Sequence, residues 1–255
     1  MPLLAHLTDL RKSLVRAFVW VLIGFCACYI KSEAIYNFLA RPILQELKRH
    51  QVPNVVQGLY FTTLVEPFLT HIKISFYAGL LLASPFVFFE IWRFVSPGLL
   101  KNERAPLLVL AFLSSLFFLA GIWFCYSLVF PQAFGFFLSY ASAQVLPMLS
   151  MNSCIDFISK LLLGFGVVFQ LPVVVVVLAA AGIVRARSLW ATWRYAMMVI
   201  AIASAALTPP DVASMVFMMA PLSALYFVSI VLAFVFEKRA TSPTLITDTN
   251  TTAEI

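Results

Sequence analysis

Charge is the scarcest feature of this chain. Asp, Glu, Lys and Arg make up only 11% of its 255 residues, while apolar residues make up 62%. That balance excludes a soluble globular domain, since a single core could not hide so much apolar surface at this length. The charges fall in short islands between apolar runs such as 105–130 and 161–183. Each run is long enough, as a helix, to cross about 30 Å of hydrocarbon. Strand-like alternation over about ten residues is also missing, which excludes a membrane β-barrel. Helices then satisfy every backbone amide in lipid, and the chain reads as an all-α, multi-span membrane protein.

Histidine and cysteine are nearly as sparse. His6, His50 and His71 are scattered, and there are four cysteines. Cys26 and Cys28 lie two apart on a helix, so they face nearly opposite ways and can share neither a metal nor a disulfide. Cys125 falls in a span and Cys154 in a loop, and all four read as small apolar fillers. HExxH, GxSxG, P-loop and Cys/His ligand patterns are absent. No nucleophile and base pair lies inside the spans, so an enzyme is the weak reading, without cofactor or metal. The inverted repeat that many transporters carry is not visible either.

What is present is six candidate spans, at about 14–30, 68–92, 105–130, 159–183, 191–207 and 212–236. Lys and Arg placement orients them. Arg11, Lys12, Arg16, Arg93, Lys101, Arg104, Arg185, Arg187, Arg194, Lys238 and Arg239 fall on one side, expected to be cytoplasmic with both termini. The formal charge of +6 then reflects topology and attraction to anionic lipid, not nucleic-acid binding. Residues 1–237 form the expected six-span domain, and the Thr-rich segment 238–255 a disordered cytoplasmic tail. The N-terminal apolar run reads as a retained span, because Lys31 and Glu33 crowd the would-be cleavage site of a signal peptide. The chain carries no organellar transit segment, so a bacterial inner membrane is the expected location.

Between the spans, a short helix is expected around 34–47, where Ile35, Phe38 and Leu39 recur at helical spacing. The apolar loop 131–156 should lie on the membrane surface. Pro85, Pro172 and Pro221 should bend the second, fourth and sixth spans into a concave wall. The fifth span reaches only about 22 to 26 Å, so the bilayer must thin or polar ends must snorkel there. Thr208-Pro-Pro-Asp211 is a tight turn to the sixth span, and Asp211 can cap the helix that follows.

Two acids stand out. Asp9 precedes the first span in His6-Leu-Thr-Asp9-Leu-Arg11-Lys12, and Glu103 follows the second in Phe94-Val-Ser-Pro-Gly-Leu99-Leu-Lys-Asn-Glu103-Arg104. Carboxylates at a lower-dielectric boundary suit guanidinium groups, whose planar fork makes paired bonds. Local alternatives remain open: Asp9 with Lys12, and Glu103 with Arg104. Glu90 and Arg93, three apart, should neutralise each other, and Lys73 can snorkel or contact a loop.

An ordered series of motifs resembles the TatC family, the multi-span receptor subunit of the twin-arginine protein translocase. It comprises His6-Leu7-x-Asp9-Leu10-Arg11, Glu66-x-Phe68 with Ile72-Lys73, Pro85, and Trp92-x-Phe94-x-x-Pro97-Gly98-Leu99 with Glu103-Arg104. Phe130-Pro131 with Phe134, Phe165-Gly166-x-x-Phe169-x-x-Pro172 and Leu207-Thr208-Pro209-Pro210-Asp211 complete it. The resemblance implies a non-catalytic receptor for twin-arginine signal peptides on folded cargo. Export would be driven by the protonmotive force, together with single-span TatA- and TatB-like subunits and further copies of the chain. It maps the arginine contacts onto Asp9 and Glu103, with Phe94 and Leu99 shaping the patch. Partner helices are expected on the fifth and sixth spans, near Thr208 and Asp211. The family usually has Glu at position 9, so Asp9 reaches about one methylene less far. Many members have Glu where this chain has Gln170, which cannot titrate and so excludes a proton relay there. Gln170 can still bond a passing peptide or a neighbouring helix.

Six spans are also compatible with two other functions. A small-solute secondary transporter should bury ionisable groups near the bilayer midplane, around a concavity lined by Gln170. A purely structural scaffold predicts that Glu103 can be neutralised without loss.

Overall fold

The computed structural model describes residues 2–49, 59–99, 104–139, 149–207 and 212–240. Among these the chain is almost wholly helical. Its elements are α1 (Pro2–Ile30), α2 (Ser32–Arg49), α3 (Glu66–Leu99), α4 (Arg104–Phe124), a π-helical segment (Cys125–Val129), α5 (Phe130–Leu138), α6 (Met151–Val168), α7 (Leu171–Ala180), α8 (Ala186–Ala191), α9 (Trp193–Leu207) and α10 (Val212–Ala240). Four stretches are long and apolar enough to cross a membrane: Leu7–Ile30, Glu66–Val95, Leu107–Leu138 and Met151–Ala179. The shorter apolar helices Trp193–Ala206 and Met218–Phe234 follow them. The expected all-α, six-span frame is therefore present, and its fifth member is short, at 15 residues.

Contacts between the helices show their direction. Along α1 and α3, Gly24 meets Gly79, Trp20 stacks on Phe86 at 4.2 Å, and Arg16 binds Glu90. Residue numbers fall along one helix as they rise along the other, so the pair is antiparallel. The last two contacts step by one turn on both helices. A Cβ on Gly24 would sit 2.5 Å from the Gly79 carbonyl oxygen, so only glycine permits this approach. Close backbone contact of this kind replaces the hydrophobic drive that lipid cannot supply. The same antiparallel logic joins α3 to α4 (Trp92 with Ser114, Phe88 with Phe118) and α4 to α6 (Phe118 against Gly166). The end carrying the N-terminus is called the N-terminal face below.

Prolines act differently from simple kinks. Helix α2 runs through Pro42 and α3 through Pro85. A proline leaves the carbonyl four residues earlier without its helical donor. The carbonyl orphaned by Pro42 is that of Phe38, and the Tyr126 hydroxyl donates to it at 2.8 Å while its ring stacks on Phe38. The carbonyl orphaned by Pro85 is that of Leu81, and it accepts from Ser84 Oγ at 2.7 Å. Both repairs satisfy backbone groups where lipid offers no partner. Pro172 does interrupt its span, standing just after the turn at Phe169–Gln170 between α6 and α7. The π segment ends just before Pro131, a common local adjustment to a proline.

The region between the third and fourth spans differs from expectation. Residues 130–138 form α5, with Phe130 and Phe134 buried against Phe157 and Phe165 rather than spread over a membrane surface. The fourth span begins at Met151, not near 159, because Ser150 caps α6 by accepting from the Ser153 amide. Cys154 and Asp156 thus sit on a helix, and Cys154 is buried. At the far end of α7 the chain leaves through Gly182, whose φ of 73° suits glycine alone.

Candidate functional site

The two acids meet different fates in the structure. Asp9 is exposed on α1. No described side chain forms an ion pair with it, Lys12 included. Glu103 lies outside the described residues, as do Thr208 and Asp211. Phe94 is half-buried near the end of α3, and Leu99 is the last residue of that helix. Arg16 and Glu90 provide a common level for α1 and α3. From it, Asp9 lies seven residues back along α1, and Leu99 nine residues on along α3. At 1.5 Å per residue both stand about 10 to 14 Å beyond the pair on the N-terminal face. The register of two helices therefore brings Asp9 to the level of the segment that leads to Glu103.

That register is set by a pair that sequence spacing assigned otherwise. Glu90, only 5% exposed, is held by Arg16 from α1: Nε donates to Oε1 at 2.9 Å and Nη2 to Oε2 at 3.0 Å. Arg16 Nη2 also donates to Ser13 Oγ at 3.2 Å. Arg93, the expected partner, stands further off at 3.7 Å. A paired fork outcompetes a single looser contact, because both carboxylate oxygens are satisfied at once. The signal that could have revealed this was Arg16 itself, an ionisable residue within the first apolar span. Next to this pair, Trp92 Nε1 donates to Ser114 Oγ at 2.7 Å and Gln170 Nε2 donates to the Ser114 carbonyl at 3.0 Å. The chain Trp92–Ser114–Gln170 thus ties α3, α4 and the α6–α7 turn together.

A second polar cluster closes the opposite face. Glu66 Oε2 accepts from the Thr62 amide (2.6 Å) and hydroxyl (2.7 Å), and Oε1 from Ser150 Oγ (2.7 Å) and the Asn152 amide (2.9 Å). Each oxygen takes one backbone N–H and one hydroxyl. An amide in place of the carboxylate would turn its own N–H groups toward one of those backbone donors, whichever way it flipped. Lys73 adds bonds to Asn152 at 2.8 Å and Asp156 at 3.0 Å. Tyr60 bridges to Ser150 through backbone bonds on either side. Lys73 therefore contacts a partner helix and does not snorkel. Glu66 stands out in the sequence only as part of a motif; two of its four donors, from Ser150 and Asn152, lie more than 80 residues away, where spacing cannot connect them.

An apolar cavity of about 700 Å³ lies among α1, α2, α3, α4 and α6, walled by residues such as Cys28, Phe38, Leu81, Ile122 and Leu162. Gln170 does not line it. The cavity lacks the ionisable walls that a solute transporter needs. Among the described residues no group of His, Cys, Asp and Glu could hold a metal ion.

The comparisons with known proteins agree with this architecture. The family model for the Sec-independent protein translocase protein TatC matches residues 5–221. TatC of Desulforapulum autotrophicum is 39% identical over 94% of this chain and 87% of its own length. TatC of Koribacter versatilis is 39% identical over 92% and 85%. A crystal structure of the twin-arginine translocase receptor TatC superposes with a TM-score of 0.80 at 33% identity, covering 91% of this chain and 99% of that one. The transporter reading falls with these matches, and the chain belongs to the TatC family of Sec-independent protein translocase proteins.

Proposed function

We propose that this chain is the receptor subunit of a twin-arginine translocase. It binds signal peptides carrying consecutive arginines and works with single-span TatA- and TatB-like subunits, and with further copies of itself, to export folded cargo on the protonmotive force. The observation that carries this reading is the level match between Asp9 on α1 and the Phe94–Leu99 end of α3. Glu103 follows that end by four residues in sequence. Asp9 and Glu103 can then take one guanidinium each, with the apolar Phe94 and Leu99 shaping the patch. The N-terminal face is the cytoplasmic side of a bacterial inner membrane, with both termini there, residues 1–237 as one six-span domain and 238–255 as its tail. Lysine would supply the same charge without the two-pronged geometry. A peptide with a photoreactive residue beside its Arg-Arg pair should therefore label the Asp9 and Glu103 segments far more strongly than its Lys-Lys counterpart. Equal labelling removes the proposal.

For the single-span subunits, α9 supplies the favoured surface. Tyr195, Met198, Val199 and Ile202 are all exposed, at the spacing of one helical face. A helix of 15 residues spans about 22 Å and draws the bilayer thin beside it, which favours a partner helix over lipid. Thr208 and Asp211, which follow α9 in the sequence, are assigned to the same docking region. Cysteines placed along α9 should crosslink a single-span partner from positions 195, 199 and 202 and not from the buried 200; labelling without a helical period would count against docking there.

A further inference from the structure

We propose that Arg16 and Glu90 are positioning residues for arginine recognition: their ion pair holds α1 and α3 in the register that sets Asp9 level with the Phe94–Leu99 end of α3. The inference rests on the receptor reading above and names a device within the same site. Three of the contacts between the two helices bear on their register. The Gly24–Gly79 approach opposes sliding in the middle of the pair, because a shift would bring a side chain to a place where only glycine fits, and the Trp20–Phe86 stack follows it toward the N-terminal face. The Arg16–Glu90 fork fixes the register at the end nearer Asp9. Two N–H groups on one rigid plane meet two oxygens at 2.9 and 3.0 Å, and a shift of one residue along either helix breaks both bonds.

The pair also stands at the right place to act on recognition. Among those contacts it lies nearest the N-terminal face, and so bears most directly on the α1 segment from Ser13 back to Asp9. Glu90 is buried and Arg16 is partly exposed, with Ser13 as an additional acceptor, so the guanidinium is anchored at both ends. Arg93, 3.7 Å from Glu90, adds a second positive charge that discourages Glu90 from capturing an arginine of the incoming peptide in place of Asp9 and Glu103.

The test uses the complete translocase in membrane vesicles, with Arg-Arg and Lys-Lys peptides of otherwise identical sequence. Glu90→Gln and Arg16→Gln should each lower Arg-Arg labelling by about tenfold and leave Lys-Lys labelling unchanged, because misplacement damages the geometry-dependent part of binding. The exchanged variant, Arg16→Glu with Glu90→Arg, should restore the Arg-Arg preference. In a cysteine-free background, spin labels at positions 7 and 95 should give one narrow distance distribution in the parent and the exchanged variant, and a broad one in each single variant. A parent-like Arg-Arg to Lys-Lys ratio in both single variants overturns the proposal. So does an exchanged variant that behaves like the singles, or a distance distribution that never broadens. Survival of the Arg-Arg preference when Asp9 and Glu103 are both amides would instead sink the receptor reading itself, independently of Arg16 and Glu90.

Discussion

Cells in which Asp9→Asn and Glu103→Gln are combined should fail to export folded cargo tagged with consecutive arginines, while making normal amounts of the membrane protein. The amides keep size and shape and remove only the negative charges. Removing one member of a hydrogen-bonded charge pair that loses its water on binding costs about 2–5 kcal/mol. Each 1.36 kcal/mol is a factor of ten, so a single change lowers peptide affinity by roughly 30-fold or more, and the pair lowers it beyond detection. Glu103→Gln alone should cost more than Asp9→Asn, since the shorter Asp9 side chain reaches less far and sits exposed before the peptide arrives. Export assays with immunoblot control of protein level test this. Export at the parent rate by the double variant would remove both acids from the site.

The second large effect belongs to a residue without a side chain. Gly79→Leu should separate α1 from α3, because even a Cβ at this position overlaps the backbone of Phe25 and Gly24. Backbone cannot step aside as a ring can. At Gly166 the obstructing atoms are those of the Phe118 ring, a side chain rather than backbone, so Gly166→Ala should be milder. Overpacking a tight interface costs about 1–3 kcal/mol and occasionally more. For a chain of this size that corresponds to a fall in melting temperature of up to about 10 °C. Thermal unfolding of the purified protein in detergent checks it, with Gly166→Ala alongside. A Gly79→Leu protein that melts with the parent would show that the two helices do not need this approach.

Helix α2 illustrates how far spacing alone carries. Ile35, Phe38 and Leu39 announce a helix, and one is found there, running from Ser32 to Arg49. Its continuation through Pro42 could not be foreseen, since the repair comes from Tyr126, 88 residues away. The start of α6 was missed for a related reason: the apolar run suggests a boundary near residue 159, whereas the cap at Ser150 and the Glu66 carboxylate draw the helix eight residues earlier.

Apolar run length, lysine and arginine placement and the ordered motifs were legible without coordinates: six helical spans, an expected orientation, a family, and acids at span ends. These follow from local chemistry, because hydrocarbon thickness dictates helix length and helical period dictates which near neighbours share a face. Partnership across helices was not legible. Spacing pairs Glu90 with Arg93, three residues on; the fold keeps that contact at 3.7 Å and adds the closer fork of Arg16, 74 residues away. Glu66, likewise, collects its donors from both sides of two spans. Which of two candidate partners wins depends on the axial register of packed helices. That register is decided jointly where backbones can touch, at Gly24 and Gly79, and where Arg16 meets Glu90, and is a property of the assembled bundle alone.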